Sequence, residues 1–348
     1  MLPIYKNDFK PEIPLSHFQK EAVNNLLKAI EAGKLKLVDN NCLCDNKFPE
    51  RDIVIAEKDR YGIPVKNIIC SRCGLVRSKK VFDEKSNLEF YKNYYRAIYG
   101  GSSIGNEDFF NDQKNRGKAF FSLVRKNIKA DDIKKVLEIG CGSGGILFPF
   151  YEEGIDCLGV DFDENYLQFG REKGLDLICG DYKRKVCDES VDLLILSHVM
   201  EHFTDPIKEM TEVIKKVKMN KYLLVEVPGL FNLNKVYFKP IKYFQNAHVF
   251  NYFYDHLKIF FEKLGLEIIY GDEKCVFLLK KSVTWKASNI GCIYEDSLAI
   301  YPKKVERMIL KAYFQHRFCL NPYAWKNKIR KTVNLLGITH KRRKESVQ

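Results

Sequence analysis

The sequence predicts an α/β fold with a mostly parallel sheet, a small Cys-rich module ahead of it and a helical, basic tail behind it. Three observations carry this reading. From residue 131 onward, short apolar runs alternate with helical stretches, as in strand–helix–strand units that build a parallel sheet. Cys42, Cys44, Cys70 and Cys73 enclose short β-like runs. Residues 303–348 hold thirteen Lys/Arg and two acids, +11 of the net +13, so the basic character belongs to the tail.

At 348 residues the chain has room for about two domains, and 45% hydrophobic with 30% charged residues excludes a disordered chain. No apolar run approaches the ~18 residues of a bilayer span, and the opening MLPIYKNDFKPEIP lacks the basic-then-apolar layout of a signal peptide. A cytoplasmic address is therefore expected. Eleven cysteines without an export signal point to reduced thiols rather than disulfides.

Four regions follow in order. In residues 1–82, Ser16 is placed to cap a helix over 17–31, which buries Ala22, Leu26, Leu27 and Ile30 on one face and which Gly33 ends. Beta-like runs at 52–56 and 65–69 flank a turn at 62–64. Residues 83–130 read as a helical connector, with stretches over 90–99 and 107–128 broken by Gly100, Gly101, Ser102 and Ser103. Tyr94, Tyr95 and Tyr99 in it either fold over a ligand or pack beneath it, packing being favoured. Residues 131–282 hold the sheet, with strands at 135–139, 156–160, 176–178, 191–196, 222–227, 267–270 and 276–279. Residues 283–348 add helices near 303–316 and 324–336 and end in Lys341-Arg342-Arg343-Lys344.

After the first of the sheet strands comes Gly140-Cys141-Gly142-Ser143-Gly144-Gly145, then a helix from about Ile146. A Cβ in such a turn would keep a ligand off the backbone, and the free amides aim at what lies above the strand ends. Asp161, 21 residues after Gly140 and at the end of the next strand, suits both hydroxyls of a ribose. Gly140, Gly142 and Gly145 also satisfy the dinucleotide pattern G-x-G-x-x-G, so the neighbouring acids must decide. Glu138 repels a pyrophosphate and attracts an ammonium or sulfonium, and Asp181, after the third strand, suits an adenine amino group. Three acids around one turn favour a cationic nucleoside.

Taken together, Glu138-x-Gly140-x-Gly142-x-Gly144, Asp161, Gly180-Asp181-Tyr182 and the runs 191–202 and 222–228 resemble the class I S-adenosylmethionine-dependent methyltransferases over about 131–282. The resemblance implies a Rossmann-like, seven-stranded, mostly parallel sheet. It also implies a donor site formed by Glu138, Gly140, Gly142, Gly144, Asp161, Asp181, Tyr182 and Ser197.

The fourth strand leads into Ser197-His198-Val199-Met200-Glu201-His202, on the side of the sheet where ligands sit. Methyl transfer to a hydroxyl needs alignment and a proton acceptor, and histidine can be one. His198, His202 and His248 are the candidate bases; Glu201-His202 as a helix cap and His248 as a structural residue are the alternatives. His198-x-x-Glu201-His202 matches the H-x-x-E-H zinc-protease string, but it follows a strand instead of lying within a long helix. Ubiquinone-type O-methyltransferases carry a metal-associated Glu-x-x-Glu-His there; this chain has His198 at the first position. His248 resembles the histidine before the last helix in many relatives, and His256 reads as structural.

Cys42-x-Cys44 and Cys70-x-x-Cys73 read as a four-thiolate structural zinc knuckle, with reduced thiols as the alternative. Cys-x-x-Cys-Gly-Leu-Val, followed by Phe90-Tyr91 and Tyr95-Arg96, resembles the N-terminal zinc-binding segments of methyltransferases that modify bacterial sugars and surface glycans. The C-methyltransferases of that group have a large C-terminal domain, where this chain has 66 residues. The expectation is therefore O-methylation of a nucleotide-sugar or surface glycan from S-adenosylmethionine. Sugar C-methylation, RNA methylation and a non-enzymatic nucleoside-binding module remain alternatives. Base methylases that act on amino groups carry Asn-Pro-Pro-Tyr where Ser197-His198-Val199-Met200 stands. For the tail, a solvated surface or contact with anionic lipid at the inner membrane face or with a phosphate-linked glycan is expected.

Overall fold

The computed structural model describes residues 4–100, 104–287, 290–326 and 328. Its centre is a seven-stranded sheet made by β1 (Lys135–Ile139), β2 (Asp156–Asp161), β3 (Asp176–Cys179), β4 (Val191–Ser197), β5 (Val217–Glu226), β6 (Leu266–Gly271) and β7 (Val276–Lys281). The spatial order is β3-β2-β1-β4-β5-β7-β6. Strands β1 to β5 run parallel, and β7 is antiparallel to both neighbours. Every residue of β4 is buried, which is why this strand reads as an unbroken apolar run rather than an alternation.

The strands expected in the sheet all form, with one extended, and the helix after the glycine turn starts late. Strand β5 starts at Val217, five residues before the apolar run; its register breaks between Val217 and Tyr222, and Asn220 is left-handed with φ 63°. The polar Lys218–Lys221 stretch hides this extension from a hydrophobic pattern. The helix after the glycine turn begins at Phe148, two residues late, because residues through Leu147 are spent in turns, Leu147 N–H donating to Gly144 at 3.0 Å.

Ahead of the sheet, the helix His17–Glu31 starts on a Ser16–Gln19 capping box and is followed by left-handed Gly33. Strands Ile53–Lys58, Pro64–Ile69 and Val76–Ser78 make an antiparallel sheet in the cysteine module. Its fourth strand, Phe250–Asn251, comes from the large domain and pairs with Val76 and Arg77. The module is thus joined to the domain by shared backbone pairing, and buried Ser78 adds a hydroxyl bond to the His248 carbonyl at 3.0 Å.

The connector is helical as expected: Glu84–Phe90 continues as a π-helical stretch Tyr91–Gly100, and Glu107–Asn127 follows. Two of its tyrosines pack against each other and the large domain, Tyr95 stacking on Tyr99 at 4.9 Å between ring centres and Tyr99 Oη accepting from Ala247 N–H. At the other end, the helix Tyr301–Arg317 lies against the cysteine module. Gly101, Ser102, Ser103, most of the 324–336 stretch and Lys341-Arg342-Arg343-Lys344 lie outside the described residues. No described helix is long and apolar enough to cross a membrane.

Gly74 closes the second cysteine turn with φ 77°, and a Cβ there would lie 2.6 Å from the Tyr301 backbone. Left-handed strain and overpacking act together, so Gly74→Ala is expected to cost about 2–4 kcal/mol in denaturant-induced unfolding.

Candidate active site

The glycine turn sits on the end of β1, and Gly140, Gly142 and Gly144 all have positive φ. A Cβ on Gly140 would come within 2.6 Å of Val199, so the turn can lie against the loop after β4 only because glycine is there. Asp161, ending β2, is fastened to this turn: its Oδ2 accepts from Gly142 N–H at 2.9 Å and its Oδ1 from Asp163 N–H at 3.0 Å. The Arg96 guanidinium from the connector donates to Asp161 Oδ2 at 3.1 Å and lies over the Tyr166 ring. The crevice therefore already pairs with a cation.

Glu138 is 1% exposed, and its Oε2 has no hydrogen-bond partner among the described residues. Burial pushes its carboxyl well above the ordinary range, and Asp161 pushes it the same way. Asp181 and Tyr182 are engaged locally: Asp181 Oδ1 caps the next helix through Lys183 N–H at 3.0 Å, and the Tyr182 hydroxyl lies 3.3 Å from Glu209.

The ends of β4 and β5 meet around His198. Ser197 Oγ donates to Glu226 Oε2 at 2.7 Å, and Arg116 Nε lies 3.4 Å from the same oxygen. His198 Nε2 is 3.4 Å from Glu226 Oε2, while its Nδ1 faces Glu201 Oε1 at 3.2 Å. The His198 backbone is left-handed, φ 57°, an uncommon state for a side chain with a Cβ and one that clusters at functional sites. Of the three histidines, it has the most exposed ring, with 35% of the side chain accessible.

Below it the loop buries Glu201, at 1% exposure, with His202 and His248. His202 Nδ1 lies 2.9 Å from the Ala247 carbonyl, and its ring meets Tyr91 and Tyr95 edge-on. Burial pushes the Glu201 carboxyl up, but the His198 hydrogen bond and the neighbouring histidines outweigh it and hold it at about 2. Burial pushes His202 down, and His248 down to about 3. At neutral pH this leaves a carboxylate beside two neutral imidazoles.

The structure thus brings together the predicted Glu138, the glycines and Asp161 on one side, and Ser197, His198, His202 and His248 on the other. Sequence reasoning missed Glu226, Arg116 and Arg96. Glu226 had a signal, since it ends β5 where ligands of parallel sheets bind. Arg116, which also donates to Ser197 Oγ at 3.3 Å, lies 81 residues from that serine, and Arg96 lies 65 residues from Asp161; neither gave a signal.

In the module the four sulfur atoms of Cys42, Cys44, Cys70 and Cys73 lie within 4.8 Å of one another, with Cys42–Cys73 and Cys44–Cys70 at 3.5 Å. Thiolates about 2.3 Å from a tetrahedral ion stand about 3.8 Å apart, so this donor set fits zinc. The remaining cysteines are free: Cys141, Cys157 and Cys275 are buried, Cys187 and Cys319 exposed, and Cys179 and Cys292 between.

The strand order, the antiparallel β7 and the glycine turn with its acid on β2 define a class I methyltransferase fold. Residues 113–270 match a family model described as a methyltransferase domain. Among curated proteins, it is similar to the demethylmenaquinone methyltransferase of Renibacterium salmoninarum, 26% identical over 30% of this chain and 45% of the relative. The counterpart from Paenarthrobacter aurescens is 27% identical over 28% and 41%. The chain spans less than half the length of these relatives. Similar solved structures include a SAM-dependent methyltransferase from Archaeoglobus fulgidus, 24% identical over 58% of this chain and 93% of that one, with TM-score 0.38. Another, from Aquifex aeolicus, is 16% identical over 48% and 96%, with TM-score 0.37.

Glu138 gives a test of the site's electrostatics. A carboxyl raised in the folded chain contributes stability that is fully present below its unfolded value near 4.3 and is lost as pH rises toward the folded value. Between pH 4.5 and 8, Glu138→Gln should gain about 1–3 kcal/mol on the parent chain in chemical denaturation.

Proposed function

We propose that the chain transfers a methyl group from S-adenosylmethionine to a hydroxyl of a sugar, either nucleotide-linked or on a surface glycan. The observation that carries the donor half is Asp161 fixed to the glycine turn beside buried Glu138. Asp161 would take the ribose once Arg96 releases Oδ2, and two acids beside the turn favour a positive charge over a diphosphate. S-adenosylmethionine, when bound there, supplies a methyl carbon activated by sulfonium.

The residues of the chain then align the acceptor and take its proton. His198 is the base in this reading. Buried Glu201 holds its Nδ1, the orientation that a histidine base receives from an acid, and leaves Nε2 toward the rim formed by Glu226, Ser197 and Arg116. His202 is less suited, because its Nδ1 lies against the Ala247 carbonyl and its ring is covered by tyrosines. The sugar class is supported by the likeness of the Cys-x-x-Cys-Gly-Leu-Val segment and the aromatic connector to sugar-modifying methyltransferases. Carbon methylation is the second reading, favoured by the same segment, which C-methyltransferases of that group share.

The four cysteines support a structural zinc ion that holds the two turns together. Peripheral contact with an anionic membrane is supported by the basic end and by exposed Phe314, Phe318, Leu320 and Trp325 around Arg317 and Lys326.

Calorimetry should give donor binding in the micromolar range, lost on Asp161→Ala; intact protein producing no heat defeats the donor assignment. His198→Ala should lower kcat roughly 10²–10⁴-fold with donor affinity retained. Mass spectrometry of sugars and RNA incubated with labelled donor reads the acceptor, and label found in RNA alone overturns the sugar assignment. Elemental analysis should find about one zinc per chain bound by the cysteines, and that equivalent should be lost after Cys70→Ser.

A further inference from the structure

We propose that an open cavity between the cysteine module and the helix Tyr301–Arg317 binds the diphosphate group of a small molecule or lipid. The cavity has a volume of about 670 Å³, within the range of small-molecule sites. Ser71 of the module contributes to its wall, Ile300 and Pro302 give it an apolar side, and Lys303, Lys304 and Arg307 supply three positive charges. No carboxylate is among the residues that line it.

The charges are not used within the protein. Lys303 and Arg307 are exposed, and among the described residues neither has an ion-pair or hydrogen-bond partner. Lys304 is held in place by aromatic rings: its Nζ donates to the Tyr301 hydroxyl at 3.3 Å and lies 4.4 Å from the centre of that ring and 5.1 Å from that of Phe231. One hydrogen bond leaves an ammonium two further donors. Arg307 is four residues from Lys303 and three from Lys304, so the cations share one helix face and repel each other there. The first helical turn is also the positive end of the dipole, where cations are disfavoured. The one acid of this helix, Glu306, does not line the cavity. An anion seated among the three cations relieves this repulsion.

The arrangement suits paired phosphates. A guanidinium can take two oxygens of one phosphate while two ammonium groups meet the other. The helix runs on directly from the short turn Asp296–Ile300, so recognition falls to side chains and not to free amides. Ser71 lies between Cys70 and Cys73, and its hydroxyl is fixed by Asp52 and Asn46, which makes that wall rigid. Phe231, beneath Lys304, is five residues past Glu226, at most about 17 Å of chain. The cavity therefore lies at the same end of the sheet as His198. That a diphosphate-linked acceptor spans both places rests on the proposed activity; the anion site does not.

The probe is inorganic pyrophosphate, titrated calorimetrically into the full-length protein at low salt with no methyl donor present. About one pyrophosphate per chain should bind, with Kd between about 10 μM and 1 mM, and more tightly than orthophosphate. Replacing both exposed cations, Lys303→Ala with Arg307→Ala, should weaken binding about tenfold or more. The charge-preserving pair Lys303→Arg with Arg307→Lys should keep it, as should Lys341→Ala with Arg342→Ala, which removes the same charge from the basic end. No binding by the parent chain, equal affinity for orthophosphate, or weakening by the 341/342 pair as large as that by the 303/307 pair overturns the site. Uridine diphosphate displacing the pyrophosphate identifies a soluble source, and vesicles carrying a polyprenyl diphosphate identify a lipid-linked one; displacement by neither overturns the assignment. Methyl transfer enters none of these measurements, so a failed activity and a failed anion site are told apart.

Discussion

A carboxylate withdrawn from water must find partners, and in this chain Glu201 sets the terms for everything around it. At 1% exposure it is faced by His198, His202 and His248, which come from two separate segments. Isolated, such a charge would be too costly to keep. Its presence at the end of the most deeply buried strand therefore requires the loop before Phe250–Asn251 to close down on it. The Val249 amide donating to the Glu201 carbonyl is the backbone expression of the same requirement. The crevice is shaped by this closure: His198 is left on the exposed side, and the tyrosines of the connector seal the other.

The two halves of the crevice use opposite strategies. On the β1–β2 side, conformational freedom does the work: left-handed glycines let Val199 approach the turn, and Asp161 is tied down by main-chain amides. On the β4–β5 side, order comes from paired side chains, with Ser197 and Arg116 holding Glu226 and Glu226 facing His198. Bare backbone accommodates a large ligand, and a charge network positions a small reactive group. Their meeting at the centre of a parallel sheet is what the topology places at a strand switch point.

The sheet was legible in the sequence because parallel strands are buried on both faces and so appear as continuous apolar runs bounded by glycine and charge. The glycine turn and Asp161 were legible because their spacing along the chain is set by one strand–helix–strand unit. What lay beyond reach depended on contacts between distant segments. Arg96 meets Asp161 across 65 residues, and nothing local in either helix of the connector foretells which arginine turns inward. Lys218–Lys221 belongs to a strand although its composition is polar, because its neighbours in the sheet and not its own side chains define it. Asp181 was readable as an acid near the turn, but its use as a helix cap is decided by the amide of Lys183, two residues on.

The pairing of Phe250–Asn251 with Val76 and Arg77 has one further consequence. His248 lies two residues from that short ladder, and its carbonyl is held by Ser78, which is five residues from Cys73. The folding of the cysteine hairpins and the seating of that imidazole are consequently linked equilibria. The coupling free energy between them is the same in either direction. The small module at the start of the chain is thereby a thermodynamic partner of the crevice and not an appendage to it.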